Sequence, residues 1–303
     1  MDYQRSPSFC VDLSVEKDRG TPSRSRSRPW TARTSVTLGM PQLDGCGLSE
    51  TWLQKTCGEV HWRGLAARLG RPAEQWIDST GQRVYAAFGI VRLQWLRLGV
   101  AQEGKRLRLE SQLSPLGRSQ AWSRHRLSID ADAIGQLEML SIFVGRGEDG
   151  SNRSVRRVAM SHQATHTVPA AARKLADRAR DWRTAAASAY IDPAVPPYSL
   201  RFMPCPRGDF NGAGLIYFAT FTAWADWALF SWKLLSVQDR VIERECLFLG
   251  NLDVGNEVEI VLHSSIATST ELSLEVDIRC KQYGRLLARV RTILTKFIDY
   301  SIN

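Results

Sequence analysis

The sequence predicts an α+β protein made of one unit used twice, each copy a long apolar helix held against an antiparallel sheet. Three observations predict it. Asp44-Gly45-Cys46-Gly47-Leu48 and Asn211-Gly212-Ala213-Gly214-Leu215 share the pattern Asp/Asn-Gly-x-Gly-Leu, and each opens a helix followed by strands. The helix after the second copy, "IYFATFTAWADWALFSWKLL" (216–235), has almost no polar face, so other structure must wrap it. The chain has 303 residues, 44% of them hydrophobic, enough for two cores.

Residues 1–33 contain "TPSRSRSRPW" and no apolar period, which predicts a disordered Ser/Arg-rich tail. The first unit is read at 34–160. It opens with a short strand, "SVTL", and the Gly-rich turn. A helix follows over "ETWLQKTCGEVHWRGLAARLG", with Trp52, Leu53, Cys57, Val60, His61 and Leu65 at helical spacing. Strands follow over "QRVYAAFGIVRLQWL", "KRLRLESQL", "SQAWSRHRLSI" and "GQLEMLSIFVGR". Residues 161–197 read as a connector with an Ala/Arg-rich surface helix, ended by "DPAVPP". The second unit, 198–303, repeats the order: strand "YSLRFM", Gly-rich turn, long helix. Its later strands are "NEVEIVLHSS", "ELSLEVDIRCKQYG" and "RLLARVRTILTKF"; no element is placed between 236 and 255. A curved sheet around one apolar helix is the hot-dog arrangement, so the expectation is a tandem (double) hot-dog fold with a continuous sheet.

Composition narrows the chemistry. No window approaches about 18 uncharged apolar residues, and the N-terminus lacks an apolar leader core, so no membrane partner and a cytoplasmic location are expected. None of the six cysteines forms C-x-x-C, and the five histidines are scattered, so no metal site is expected. The net charge of +9 attracts phosphate-bearing ligands, acidic proteins or nucleic acid without choosing among them. Only the tail suggests nucleic acid, and none is expected as a partner. No P-loop, G-x-S-x-G, H-E-x-x-H or dinucleotide fingerprint occurs. Arg118, Arg124 and Arg126, on a strand-turn-strand, read as a solvated face or as a contact for a coenzyme A phosphate or an acidic carrier-protein surface.

The two turns are where chemistry is expected. Free N–H groups and the positive dipole end of a helix favour an oxygen that develops negative charge, as a thioester carbonyl does. Gly45 and Gly47, or Gly212 and Gly214, would let a ligand approach the backbone; equally, they serve a tight turn. Asp209 and Asn211 suit a general acid/base and a carbonyl positioner, or caps. Ser49 and Glu50 hold the equivalent places in the first unit. Tyr85, at the start of a strand, suits either packing or proton donation.

Three blocks, "GMPQLDGCGLSETWLQKTCGEVHW" (39–62), "QRVYAAF" (82–88) and "DFNGAGLIYFATFTAWADWA" (209–228), resemble the LnmK-like family of leinamycin-type polyketide biosynthesis. The resemblance spans about residues 35–300. It implies a double hot-dog acyltransferase/decarboxylase that takes methylmalonyl-coenzyme A and delivers an acyl group to an acyl carrier protein. It implies Tyr85 as the catalytic residue, acyl-CoA and a carrier protein as partners, and no cofactor beyond the coenzyme A thioester. The alternatives are an acyl-CoA or acyl-carrier-protein thioesterase, or a non-catalytic acyl-thioester-binding module.

Overall fold

The computed structural model describes residues 29–147, 149–160, 167–188 and 198–295. Its strands are β1 (Trp30–Thr37), β2 (Leu43–Asp44), β3 (Gly47–Leu48), β4 (Val84–Trp95), β5 (Arg106–Leu116), β6 (Gln120–Ile129) and β7 (Asp132–Gly145), then β8 (Arg156–Arg157), β9 (Ser199–Phe202), β10 (Arg240–Phe248), β11 (Val258–Ala267), β12 (Glu271–Cys280) and β13 (Leu286–Thr295). The helices are α1 (Glu50–Leu69), α2 (Ala170–Ser188) and α3 (Phe218–Ser231).

One sheet runs β1-β5-β6-β7-β4-β10-β13-β12-β11-β9, with β8 on β7. The order is the same from either edge: β1 corresponds to β9, β5 to β11, β6 to β12, β7 to β13, and β4 to β10. The two halves meet where β4 and β10 pair antiparallel, from Gln94↔Glu243 to Ile90↔Leu247. This is the tandem hot-dog fold, with two related units on one continuous sheet.

Each central helix lies on its own half of the sheet. Leu53 and Cys57 of α1 pack with Val91, Leu93, Leu109, Leu127 and Met139. Phe221, Trp224, Ala225 and Ala228 of α3 pack with Ile260, Val276, Ile278 and Val290. The helices also touch each other. At Gly58 an added Cβ would stand 2.9 Å from the Phe218 ring, so glycine permits this approach.

Inside the first half, a polar chain crosses the apolar core. Ser111 Oγ lies 2.8 Å from His125 Nδ1, and His125 Nε2 lies 3.0 Å from Ser123 Oγ. Ser123 Oγ lies 2.7 Å from His61 Nδ1, and His61 Nε2 lies 2.8 Å from Ser141 Oγ. Both imidazoles are fully buried; burial holds each down to about 3, and His61 is depressed further by His125.

Three sequence expectations change. Residues 30–33, read as tail, belong to β1, which pairs with β5 from Trp30↔Leu113 onward; residues 1–28 lie outside the described residues. The connector helix α2 is not only a surface helix. Its Ala172, Leu175, Ala179 and Trp182 cover Ile90, Trp122, Leu140 and Leu247 on the opposite face of the sheet from α1 and α3. The seam strand β10, "RVIERECLF", falls where the sequence pattern places no element. Its charges hide it: Glu245 is 1% exposed and meets Arg178 of α2 at 2.8 Å, Arg291 at 2.8 Å and Arg92 at 3.5 Å. Buried carboxylates need such partners, so a strand that looks polar is in fact interior.

Candidate active site

A cavity of about 730 Å³ opens between the halves. The first half contributes the start of β4, with Arg83, Tyr85 and Phe88, and Trp62 of α1. The second half contributes the 211–218 turn and the end of β10 with Phe248 and Asn251. The interior is aromatic: the Phe88 and Phe218 rings meet at 4.4 Å between centroids, tilted by 60°, and Trp62 lies 6.1 Å from Phe218. Such walls suit an apolar chain.

The polar groups on the described lining are the phenols of Tyr85 and Tyr217, the amides of Asn152, Asn211 and Asn251, and four guanidiniums. The Tyr85 ring lies between Arg83 and Arg146, each 5.7 Å from its centroid. Burial, with the Glu59 charge adding to it, pushes the Tyr217 phenol up to about 12, so it stays protonated at neutral pH.

The 211–217 turn is tightly wound. Asn211 Oδ1 accepts from Ala213 N at 2.9 Å and Leu215 N at 3.2 Å, and Asn211 O accepts from Gly214 N at 2.8 Å. Asn251 Oδ1 accepts from Ile216 N at 2.9 Å, and Tyr217 N donates to Asp209 O at 2.8 Å. Helix α3 then begins with Tyr217 at its N-cap and no side-chain cap. The N–H groups of Phe218 and Ala219 have no acceptor among the described residues, and they stand at the positive end of the helix.

The predicted residues divide accordingly. Tyr85, Asn211 and Gly212 line the cavity. Gly214 does not; it has φ 70° and its N–H closes the turn, so it acts through backbone conformation. Asp209 does not line the cavity either: its Oδ2 accepts from Cys205 N at 2.6 Å and its Oδ1 from Trp224 Nε1 at 3.2 Å. Both oxygens are bound in holding the loop.

Gly45, Gly47, Ser49 and Glu50 lie elsewhere. Gly47 and Glu50 edge a smaller hollow of about 160 Å³, together with Asp226 and Arg244. Ser49 caps α1, accepting from Trp52 N at 3.4 Å. Glu50 accepts from Gln54 Nε2 at 2.8 Å and lies 3.4 Å from Arg244 Nε. Burial raises the Glu50 carboxyl. Burial alone would depress Arg244, but Asp226 and Glu50 hold it firmly charged.

Sequence reasoning missed Tyr217, Asn152 and Asn251, because their places depend on contacts made across the fold. Arg124 pairs with Glu138 at 3.1 Å, and Arg118, Arg124 and Arg126 are not on the cavity lining. Among the described residues, no group of three or more His, Cys, Asp or Glu is placed to hold a metal ion, and no helix is long and apolar enough to cross a membrane. His162 and His166 lie outside the described residues.

No family model and no curated protein matches the chain. Solved structures do. The 12:0-acyl-carrier-protein thioesterase of Umbellularia californica superposes with TM-score 0.62 at 10% identity, covering 88% of this chain and 94% of that one. An acyl-carrier-protein thioesterase of Bacteroides thetaiotaomicron superposes with TM-score 0.56 at 8% identity, covering 87% and 97%. At such identities the likeness is one of fold, and it runs over nearly the whole of each chain: this chain has the tandem hot-dog fold.

Proposed function

We propose that this protein processes acyl thioesters, with the acyl chain in the cavity between its halves and the thioester carbonyl at the N-terminus of α3. One observation carries this reading: an aromatic cavity of about 730 Å³ ends at an uncapped helix terminus, opposite the Tyr85 strand. Unpaired N–H groups there offer an oxyanion its hydrogen bonds, and the surrounding rings lower the local dielectric. Arg83, Arg157, Arg183 and Arg285 line the same cavity. Their charge suits the phosphates of coenzyme A or of a carrier protein's phosphopantetheine arm.

Hydrolysis is the first reaction to test, because the fold is shared with proteins named as acyl thioesterases. In that reaction water attacks the carbonyl carbon, the α3 end stabilises the oxyanion, and the thiolate leaves with a proton. A second reading has its own support. The described lining offers phenol, amide and guanidinium groups, and no carboxylate or imidazole to activate water. Decarboxylation of a malonyl-type thioester needs no such base: CO₂ leaves, an enolate forms on the thioester oxygen, and a phenol such as Tyr85 gives its proton to carbon. The phenolate then takes the proton of an acceptor thiol, whose sulfur attacks the thioester carbonyl as the coenzyme A thiolate leaves and takes a proton from solvent. The sequence resemblance points the same way.

A panel of acyl-CoA and acyl-carrier-protein thioesters, with release of free thiol followed, tests the proposal. Thiol release without a thiol acceptor supports hydrolysis. CO₂ from methylmalonyl-CoA, with acyl transfer to a carrier protein, supports the second reading. Neither turnover nor binding of any member would overturn both.

A further inference from the structure

A loop of the first half is tied to the second half through Asn152, which meets it at three points, Gly214, Leu252 and Asp253. Asn152 follows β7 and is 6% exposed. Its Nδ2 donates to Gly214 O at 2.6 Å and to Leu252 O at 2.9 Å. Its Oδ1 accepts from Arg146 Nη2 at 3.0 Å and Nε at 3.2 Å. Its backbone N donates to Asp253 Oδ1 at 2.8 Å. Two donors and two acceptors use the full capacity of the amide, and the two facing carbonyls fix which end is nitrogen.

Arg146 completes the arrangement. Its Nη2 also donates to Ala213 O, and its guanidinium lies 5.7 Å from the Tyr85 ring. It therefore touches both walls of the cavity, the Tyr85 strand and the 211–217 turn. The turn is a preformed unit, closed by Asn211, and it leads directly into α3. What remains to be set is where that unit sits against Tyr85. The contacts that set it run from Asn152 and Arg146 to the carbonyls of Ala213, Gly214 and Leu252.

We propose that Asn152 and Arg146 are positioning residues that fix the start of α3 relative to Tyr85. The first half thereby sets the geometry of a carbonyl-binding end that belongs to the second half. The inference rests on the acyl-thioester reading of the cavity for its consequence in catalysis, but the clamp itself is a statement about local order. Misplacing a reacting group by about 1 Å costs on the order of a hundredfold in rate, whereas the aromatic walls that hold an acyl chain would be unchanged.

The informative variant is Asn152→Asp, which keeps the shape and the acceptor for Arg146 but turns an oxygen towards two carbonyl oxygens. Two measurements are made on the full chain: amide hydrogen exchange over 211–221, and kcat and KM with whichever acyl thioester the wild type turns over. The expected result is faster exchange confined to the 211–217 turn and the first turn of α3. With it, kcat falls about tenfold or more and KM stays within about threefold. Arg146→Lys, which keeps the charge but loses the fork, moves both in the same direction by less. Exchange unchanged in Asn152→Asp overturns the clamp. Altered exchange with unchanged kcat overturns its role in catalysis. If the wild type turns over no acyl thioester, the functional reading fails, and the exchange result alone decides the clamp.

Discussion

The two Gly-rich turns carry nearly the same letters and have opposite fates. In the first half, Ser49 caps α1, and Glu50 and Asp226 pair with Arg244 beside a hollow of only about 160 Å³. In the second half, no side chain among the described residues caps α3, and the space in front is an aromatic cavity. The backbone of a hot-dog unit produces a helix terminus aimed at the opposite half's strand in both cases. Side chains then decide whether that terminus is consumed by the protein or left for a ligand. On the proposed reading, the duplicated fold keeps one site and converts the other into structure.

The largest expected effect comes from breaking the filled site. Arg244→Ala leaves Glu50 and Asp226 without their guanidinium, and removing one partner of a buried pair costs about 3–5 kcal/mol. Thermal unfolding should show that loss, while turnover per folded molecule stays the same. Lost turnover with unchanged Tm would move the chemistry to the first turn and reverse the comparison.

Tyr85→Phe makes the opposite test. It should cut turnover about a hundredfold, the lower end of what a positioned proton donor supplies, and leave Tm within about 1 kcal/mol of stability. Full activity in this variant would remove Tyr85 from the mechanism and leave the α3 terminus as the whole of the site.

Acid should separate the halves by stability. His61 and His125 are held to about 3 when folded, by burial first, so the unfolded chain binds protons that the folded chain does not. Their contribution is complete above the ordinary histidine range and is lost as pH falls from about 6.5 towards 3, at about 1.4 kcal/mol per pH unit for each imidazole. In the second half, Asp277 is held low against burial by Arg289 and Arg279. That contribution is lost only as pH falls below the ordinary aspartate range. Hydrogen exchange at pH 5 against pH 7 should therefore loosen β6, β7 and α1 before β12 and β13. Loosening in the reverse order would refute the assignment of neutral imidazoles.

The smallest effect belongs to Ser49→Ala. Loss of an N-cap costs about 1 kcal/mol, and activity should not change, because the proposed site lies at the α3 terminus.

Much of this was legible in the sequence where local pattern and burial agree. The apolar length of α3 required a wrapping sheet, and the repeated turn announced the duplication. Tyr85, Asn211 and Gly212 were marked by their place beside those elements, and all three face the cavity. Other features were not legible. Strand β10 carries Glu243 and Glu245, whose partners, Arg92, Arg178 and Arg291, lie on three other elements. Asp209 looked like an acid/base because it stands beside the turn, but the indole of Trp224 takes one of its oxygens and the Cys205 amide the other. The two turns could not be told apart, because what separates them is Arg244, which arrives from β10. Asn152 sits in an unpatterned loop and Arg146 at the end of a strand pattern, and nothing local announces the carbonyls of the other half that they meet. Periodicity reports which face of an element is buried; it does not report which distant side chain will meet it.

The most direct test of the central claim is a structure of the protein with a non-hydrolysable acyl-CoA thioether ketone bound. The acyl chain is expected among Trp62, Phe88 and Phe218, with the carbonyl oxygen within hydrogen-bond distance of the Phe218 or Ala219 N–H. Ligand seated instead against Ser49 and Glu50 at the α1 terminus would contradict it.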